Sequence, residues 1–338
     1  METSRSKFTR PPWQKRLLRI APHVVVAVIF LVLPLLISPY LQSMMTKFFI
    51  FAIFAMSLDV IFGYAGLISL CHAAFFGAAG YTSAILISRY GIESFWIGAP
   101  CGILMAGLIA AVFGIVALRV SGIYFLLVTF ALGELLYSVA TKWTSVTGGS
   151  YGLPGIPPPE LNLSWFVWND TSFYYFAFLA LIICFFLLYK LIHSPFGHAL
   201  QGIREHEARM ECLGYNVWLY KYLAFIISGM FAGFSGILFG HFNGLVGPMH
   251  LGILTSALVM LMVIIGSAGT LFGSIIGAGV IIFVEHFAAI YTPERWPLIL
   301  GAVFIISVTY FEAGIGVNAL RFLSGKSENL ALTKSLPD

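Results

Sequence analysis

Asp59, Glu134 and Glu285 stand inside long apolar runs, and His72 stands among small residues in SLCHAAFFGAAGY. Carboxylates and imidazoles in such surroundings line polar pathways or relay protons, or else form hydrogen bonds between packed helices. All four residues are open to both uses. No buried Lys or Arg partner is expected for the carboxylates, which speaks against proton coupling. Hydroxyls at Ser69, Thr82, Thr129 and Ser256 are further candidates for lining a polar path.

A second concentration of chemistry lies outside the apolar runs. HALQGIREHEARMECLGYN (His198–Asn216) crowds Arg204, Glu205, Glu207, Arg209 and Glu211 into a few turns, although only 9% of the chain is charged. Signatures of catalysis are missing. There is no HExxH, CxxC, GxSxG or dinucleotide fingerprint in a suitable context. SGKS at Ser324–Ser327 has the end of a phosphate-binding loop, but Leu320 stands where that loop needs its first glycine. The four cysteines show neither zinc nor disulfide spacing and read as structural thiols. No cofactor or metal is expected on this chain.

The elements that must position these residues follow from composition. The chain has 338 residues, 59% of them hydrophobic, and a mean hydropathy of +0.94. Soluble domains hold about 45–50% apolar and about 25% charged residues. The excess requires lipid as solvent for much of the surface. The net charge of +4 does not imply nucleic acid. Apolar runs mark about ten spans, at 17–38, 46–63, 66–88, 96–118, 122–141, 172–191, 221–242, 253–266, 271–290 and 297–312. The fold class is therefore an all-α polytopic membrane protein. The Gly/Ala-rich 66–88 run, and the 253–290 region interrupted by Gly266, Gly269 and Gly273, read either as full spans or as broken, re-entrant ones.

Orientation follows from Lys and Arg. Five basic residues before the first span, with Arg19 just inside it, place residues 1–16 in the cytoplasm as a basic tail, with an uncleaved first helix after them. Alternation leaves the transmembrane domain at 17–312, a base-poor outer loop at 142–171, an inner segment at 194–216, and a cytoplasmic tail at 313–338. Arg89 and Arg295 fall outside, against the trend. The outer loop is rich in Gly, Pro and Trp, suited to docking a partner, plugging a pore mouth, or simply connecting two spans at the interface.

Within the inner segment, Ser194-Pro195 starts a helix with a capping hydroxyl and Pro at the first position. Leu200, Ile203, Met210 and Leu213 fall at helical spacing on one side, with Arg204, Glu205, Arg209 and Glu211 over much of the rest, and Gly214 and Asn216 supply the stop. Helices lying on lipid favour Lys and Arg on the polar face. Mixed charge around an apolar ridge suits a groove in a protein partner.

Several blocks in one order resemble a known family. They are GYAGLISLCHAAFFGAAGY (Gly63–Tyr81), SGIYFLLVTFALGE (Ser121–Glu134), TGGSYGLPGIP (Thr147–Pro157), the segment Ser194–Leu238, VGP (Val246–Pro248) and IIGSAGTLFGSIIGA (Ile264–Ala278). The chain resembles the permease subunits of ABC importers for branched-chain amino acids, in the LivM-like branch, from about Phe48 to Phe311. Cys71 replaces a usual glycine, and Ser267-Ala268 replaces a glycine-rich pair.

The resemblance implies a type II importer-like permease in a bacterial inner membrane, with both termini cytoplasmic. It implies a second, homologous permease subunit, two ABC ATPase subunits that bind ATP and Mg, and a periplasmic substrate-binding protein. The chain itself would be non-catalytic. Residues 194–216 would be the coupling helix, meeting the ATPase through Leu200, Ile203, Arg204, Glu205, Glu207, Arg209, Met210 and Gly214. Asp59, Ser69, His72, Thr82, Thr129, Glu134 and Ser256 would lie along the translocation path. Urea, amides and other amino acids remain alternative cargoes, and an ion-coupled secondary transporter remains an alternative class.

Overall fold

The computed structural model describes residues 33–35, 37–159 and 168–291, with a few scattered positions on either side. The expected spans at 17–38 and 297–312 and both tails lie outside the described residues, apart from isolated positions. So do residues 160–167 of the outer loop.

The described chain is helical. In order it forms α1 (Pro39–Asp59), α2 (His72–Tyr90), α3 (Phe95–Ala117), α4 (Ile123–Lys142), α5 (Asp170–Ile192), α6 (Pro195–Glu205), α7 (Glu207–Cys212), α8 (Val217–Asn243), α9 (Ile253–Gly266) and α10 (Leu271–Tyr291). Six helices among the described residues are long and apolar enough to cross a membrane: α1 with its extension to Tyr64, α3, α4, α5, α8 and α10. The 19 residues of α2 and the 14 of α9 complete the bundle.

α1 is apolar on all sides, and from Phe48 to Ile61 every residue is buried. A helix with no polar face belongs at the centre of a bundle. α2 and α8 join it there, and small residues set their spacing. A Cβ at Gly236 of α8 would overlap the Phe76 carbonyl of α2. Gly229 and Gly233 of α8 meet Ala110 and Ala106 of α3 in the same way. Lipid supplies little hydrophobic drive between helices, so close backbone approach and dispersion hold them. Aromatic rings fill the remaining volume, with Phe54 stacked on Phe76 at 4.6 Å between centroids. α3, α4 and α5 face outward with large apolar side chains such as Leu104, Leu108, Leu127, Leu135 and Phe186, as a lipid-exposed wall requires.

Two departures from helix matter for function. α1 ends in a π-helical turn, Val60–Tyr64, followed by irregular chain to Cys71 before α2 starts. The 66–88 run is thus part irregular chain and part helix. The 253–290 region is a hairpin of one short and one long helix, turned at residues 267–270, with Gly266 and Gly273 in backbone contact. Ser267 in that turn has φ 92°, the only non-glycine residue with positive φ among those described.

At the opposite end, β1 (Leu153–Pro154) pairs antiparallel with β2 (Leu245–Val246). The Gly155 and Ile156 N–H groups both donate to the Gly244 carbonyl. The described part of the outer loop is therefore clasped to the end of α8. Arg89, the base that ran against the charge trend, donates to the Ser145 carbonyl at this end.

One expectation about charge is corrected. Glu285 does have a basic partner inside the bundle: Lys47 of α1, at 3.1 Å. Lys47 was passed over because a single Lys hardly lowers the hydropathy of its run.

Two outcomes follow from this packing. Gly236→Ala forces α2 and α8 apart and costs about 1–3 kcal/mol, the usual penalty of overpacking. An unchanged thermal midpoint in detergent would count against so close a contact. Ser267→Gly acts oppositely, releasing about 1–3 kcal/mol of backbone strain. The turn's hydrogen bonds at this residue use only its backbone, so the midpoint rises with the turn intact; a fall would show that the Ser267 side chain matters.

Candidate functional site

The break between α1 and α2 is where most of the candidate pathway residues meet. Chain leaving a helix inside a bilayer exposes N–H and C=O groups that no water satisfies. Here hydroxyls take them. Thr129 Oγ1 of α4 accepts from the Leu70 N–H at 3.2 Å. Ser256 Oγ of α9 accepts from the Ala73 N–H at 3.0 Å, in the first turn of α2. Ser69 Oγ accepts from the Cys71 N–H at 3.4 Å and lies 3.3 Å from the Cys71 thiol. Gly133 of α4 lies against Cys71, which leaves room for the thiol.

His72 is fully buried at the start of α2, its Nε2 2.7 Å from Ser228 Oγ of α8. Ser228 spends its one hydroxyl proton on the Ser57 carbonyl of α1. Nε2 must therefore carry the proton and donate, leaving Nδ1 as a bare acceptor. Nδ1 has no protein partner. This chain of three groups ties α1, α2 and α8 together. Ser57 and Ser228 were not singled out in the sequence; the signal available was hydroxyl residues within otherwise apolar helices.

The remaining candidates are placed elsewhere. Thr82 is nearly three turns further along α2, its hydroxyl returned to the Ala78 carbonyl at 2.8 Å. Glu134 is half-buried on α4, one residue past the contact with Cys71. Asp59 lies at the other side of the break, fully buried, its Oδ1 accepting from the Gly269 N–H at 2.7 Å. The structure thus gathers Ser69, His72, Thr129 and Ser256, leaves Thr82 and Glu134 apart, and joins Asp59 to the α9–α10 turn. Among the described residues, no group of three His, Cys, Asp or Glu side chains is placed to hold a metal ion.

The charged segment hangs between the ends of α5 and α8, opposite the β1–β2 end. Its start is as expected: Ser194 Oγ accepts from the Gly197 N–H, and Pro195 opens α6. Asn216 caps α8 through the Leu219 N–H at 3.1 Å. The expectation of one continuous helix is corrected. His206 is extended (φ −152°, ψ 93°) and divides the segment into α6 and α7. The apolar ridge is corrected as well. Leu200 and Ile203 are each 2% exposed, turned into the bundle, whereas Leu213 is 67% exposed. Met210 folds back over Gly202. The ridge therefore anchors α6 to its own membrane domain. The outward surface mixes charge with one large apolar side chain: Glu205, Arg209 and Glu211 are exposed beside Leu213, and Glu207 is paired with Lys221 at 2.6 Å. Gly214, at φ 86°, ends the segment.

Arg204 does not join that surface with its head group. Its Nη1 donates to the Gly63 carbonyl of the π turn. The helical spacing showed which face of α6 carries Arg204, but not that the side chain reaches a carbonyl 141 residues away.

Comparison with known proteins fits this architecture. Residues 40–308 match the family described as branched-chain amino acid transport system / permease component. The chain is 28% identical over 314 residues to the high-affinity branched-chain amino acid transport system permease protein LivM of Escherichia coli (strain K12), covering 86% of this chain and 73% of that protein. It is 23% identical over 278 residues to the corresponding permease protein LivH of Salmonella typhimurium, covering 76% and 88%. A shorter match, 33% over 66 residues, joins it to the guanosine ABC transporter permease protein NupQ of Bacillus subtilis, 20% of this chain and 21% of that one. The family match takes in every described membrane helix, from α1 to α10, and the chain belongs to the permease components of branched-chain amino acid transport systems.

Proposed function

We propose that this chain is the transmembrane permease subunit of an ATP-driven importer for branched-chain amino acids in a bacterial inner membrane. It forms the translocation path with a second, homologous permease. Two relatives with different names, LivM and LivH, are both permease proteins of high-affinity branched-chain amino acid transport systems, which supports two permease subunits per system. ATP and Mg bind to partner ATPases, and a periplasmic binding protein delivers and selects the cargo. This chain carries out no chemistry of its own.

The observation that carries the reading is the α6–α7 segment. It is rooted in the membrane domain by Leu200 and Ile203, and it presents mixed charge on a short, capped, two-helix surface. Such a surface fixes register against a partner and transmits a displacement into α5 and α8. In this reading the α6–α7 side faces the cytoplasm, which would also hold both termini, and the β1–β2 end faces the periplasm. The hydroxyl-rich break beside α4 suits a zwitterion with an apolar tail, because it offers polar groups with few fixed charges.

Arg209→Glu and Glu205→Arg should each weaken association with the ATPase subunits and reduce transport by about tenfold, consistent with losing a charge pair at an interface. Membrane insertion should be unaffected. Normal co-purification and transport in both reversals would remove the coupling role from α6–α7. Sidedness is checked separately in a background lacking the native cysteines. A cysteine at Tyr151, which is 91% exposed, should react with an impermeant thiol reagent in intact cells. Cys212, restored alone, should react only after permeabilisation. The reverse pattern would invert the topology.

A further inference from the structure

Arg204, on the exposed side of α6, lays its side chain inward along two glycines. A Cβ at Gly66 would lie 3.1 Å from its Cγ, and one at Gly269 would lie 3.0 Å from its Nη1. At its inner end the guanidinium donates to the Gly63 carbonyl. Gly63 is itself pressed against the Asp59 carboxylate and the Gly269 N–H, both of which a Cβ there would overlap. Three elements therefore meet at one point: the π turn that ends α1, the α9–α10 turn, and α6.

The carboxylate at this point is half used. Asp59 Oδ1 holds the Gly269 N–H, while Oδ2 is buried without a hydrogen bond of its own, the Ser274 hydroxyl of α10 being the neutral donor that also faces the carboxylate. An unpaired buried acceptor is costly, and a guanidinium with five N–H donors is the group best suited to fill it. Arg204 is close enough to act on Asp59 electrostatically, yet no ion pair joins them in this state.

We propose that Asp59 Oδ2 is a second seat for Arg204, taken when α6 is displaced, so that the movement of α6 reaches the π turn and the α9–α10 turn together. Asp59 is then a positioning residue for transport. The proposal rests on reading α6–α7 as the segment that ATPases move. In the present state Arg204 holds the Gly63 carbonyl. After displacement the guanidinium swings to the carboxylate and releases that carbonyl, which lets the π turn change its winding. Π-helical turns inside α-helices are frequent at functional sites.

The test is a double-mutant cycle in the complete transporter, reconstituted in vesicles, reading transport per ATP hydrolysed. Asp59→Asn keeps an oxygen for the Gly269 N–H but places a donor where Arg204 needs an acceptor. Asp59→Asn and Arg204→Gln should each lower transport per ATP by about tenfold, and the double variant should be no worse than either, because both remove one shared interaction. ATPase subunits should still co-purify. A defect of packing alone would lower the amount of assembled complex and leave the ratio unchanged. If Asp59→Asn does not insert, Arg204→Lys decides: a retained charge should restore at least about a third of transport where Gln does not. Wild-type coupling in Asp59→Asn or in Arg204→Gln, losses that multiply in the double variant, or no difference between Lys and Gln at 204 would each overturn the proposal. Loss of ATPase association in Arg204→Gln would also overturn it, placing Arg204 on the docking face. Failure of the underlying reading looks different: there Arg209→Glu and Glu205→Arg leave association and transport untouched.

Discussion

A peptide group that leaves a helix inside a bilayer must find its hydrogen-bond partner within the protein, because lipid offers none and each unsatisfied group costs several kcal/mol. The centre of this molecule is organised by that requirement. The chain between α1 and α2 departs from helix, and side chains of α4, α9 and the break itself close the account: Thr129, Ser256 and Ser69. The α9–α10 turn is served by Asp59 and the π turn by Arg204. Polar residues that look like pathway candidates in an apolar sequence are thus already engaged, most of them with backbone. A cargo passing this region would meet mostly groups whose hydrogen bonds can be exchanged, with His72 Nδ1 and Asp59 Oδ2 as the acceptors left open.

The same requirement explains the glycines. Side chains can serve a break only if helices stand close to it. Gly133 admits the irregular chain before α2 to α4, and Gly236 admits α2 to α8. In the α9–α10 hairpin Gly266, Gly273 and Gly277 do the same. Ser267 is the exception, an L-residue held at positive φ in the turn where the resemblance calls for glycines. The strain sits next to the Gly269 N–H that Asp59 holds, so the turn is constrained from two sides.

Much of the helical layout was legible because hydropathy and helix length are set by the same solvent. The described membrane helices fall close to the apolar runs, and the short run at 253–266 is a 14-residue helix. The cap at Ser194 and the stop at Gly214 were legible because each is a local matter of one hydroxyl or one φ angle. What escaped was long-range or unpunctuated. His206 breaks the inner segment without Gly or Pro to announce it. Leu200 and Ile203 were correctly placed on one face, but periodicity does not say whether a face meets a partner or its own domain. Lys47 and Glu285 are separated by 238 positions, and their pairing needs the packing of α10 on α1. The gathering of Ser69, His72, Thr129 and Ser256 depends on four different elements and is a property of the fold alone.

The clasp between β1 and β2 has a mechanical meaning. β2 follows α8 after one residue, and α7 is tied to the start of α8 by Glu207 and Lys221. One continuous helix of 27 residues therefore has the charged segment at one end and the clasped outer loop at the other. At 1.5 Å per residue that rod is about 40 Å long, so a tilt of about 5° about one end carries the other through about 3.5 Å. Side-chain contacts across a bundle dissipate displacements of that size in small repackings; a stiff lever does not. A push that tilts the α7 end of this helix is carried along a single rod to Leu153 and Pro154 on the far face, at the cost of shifting the glycine contacts that α8 makes with α2 and α3.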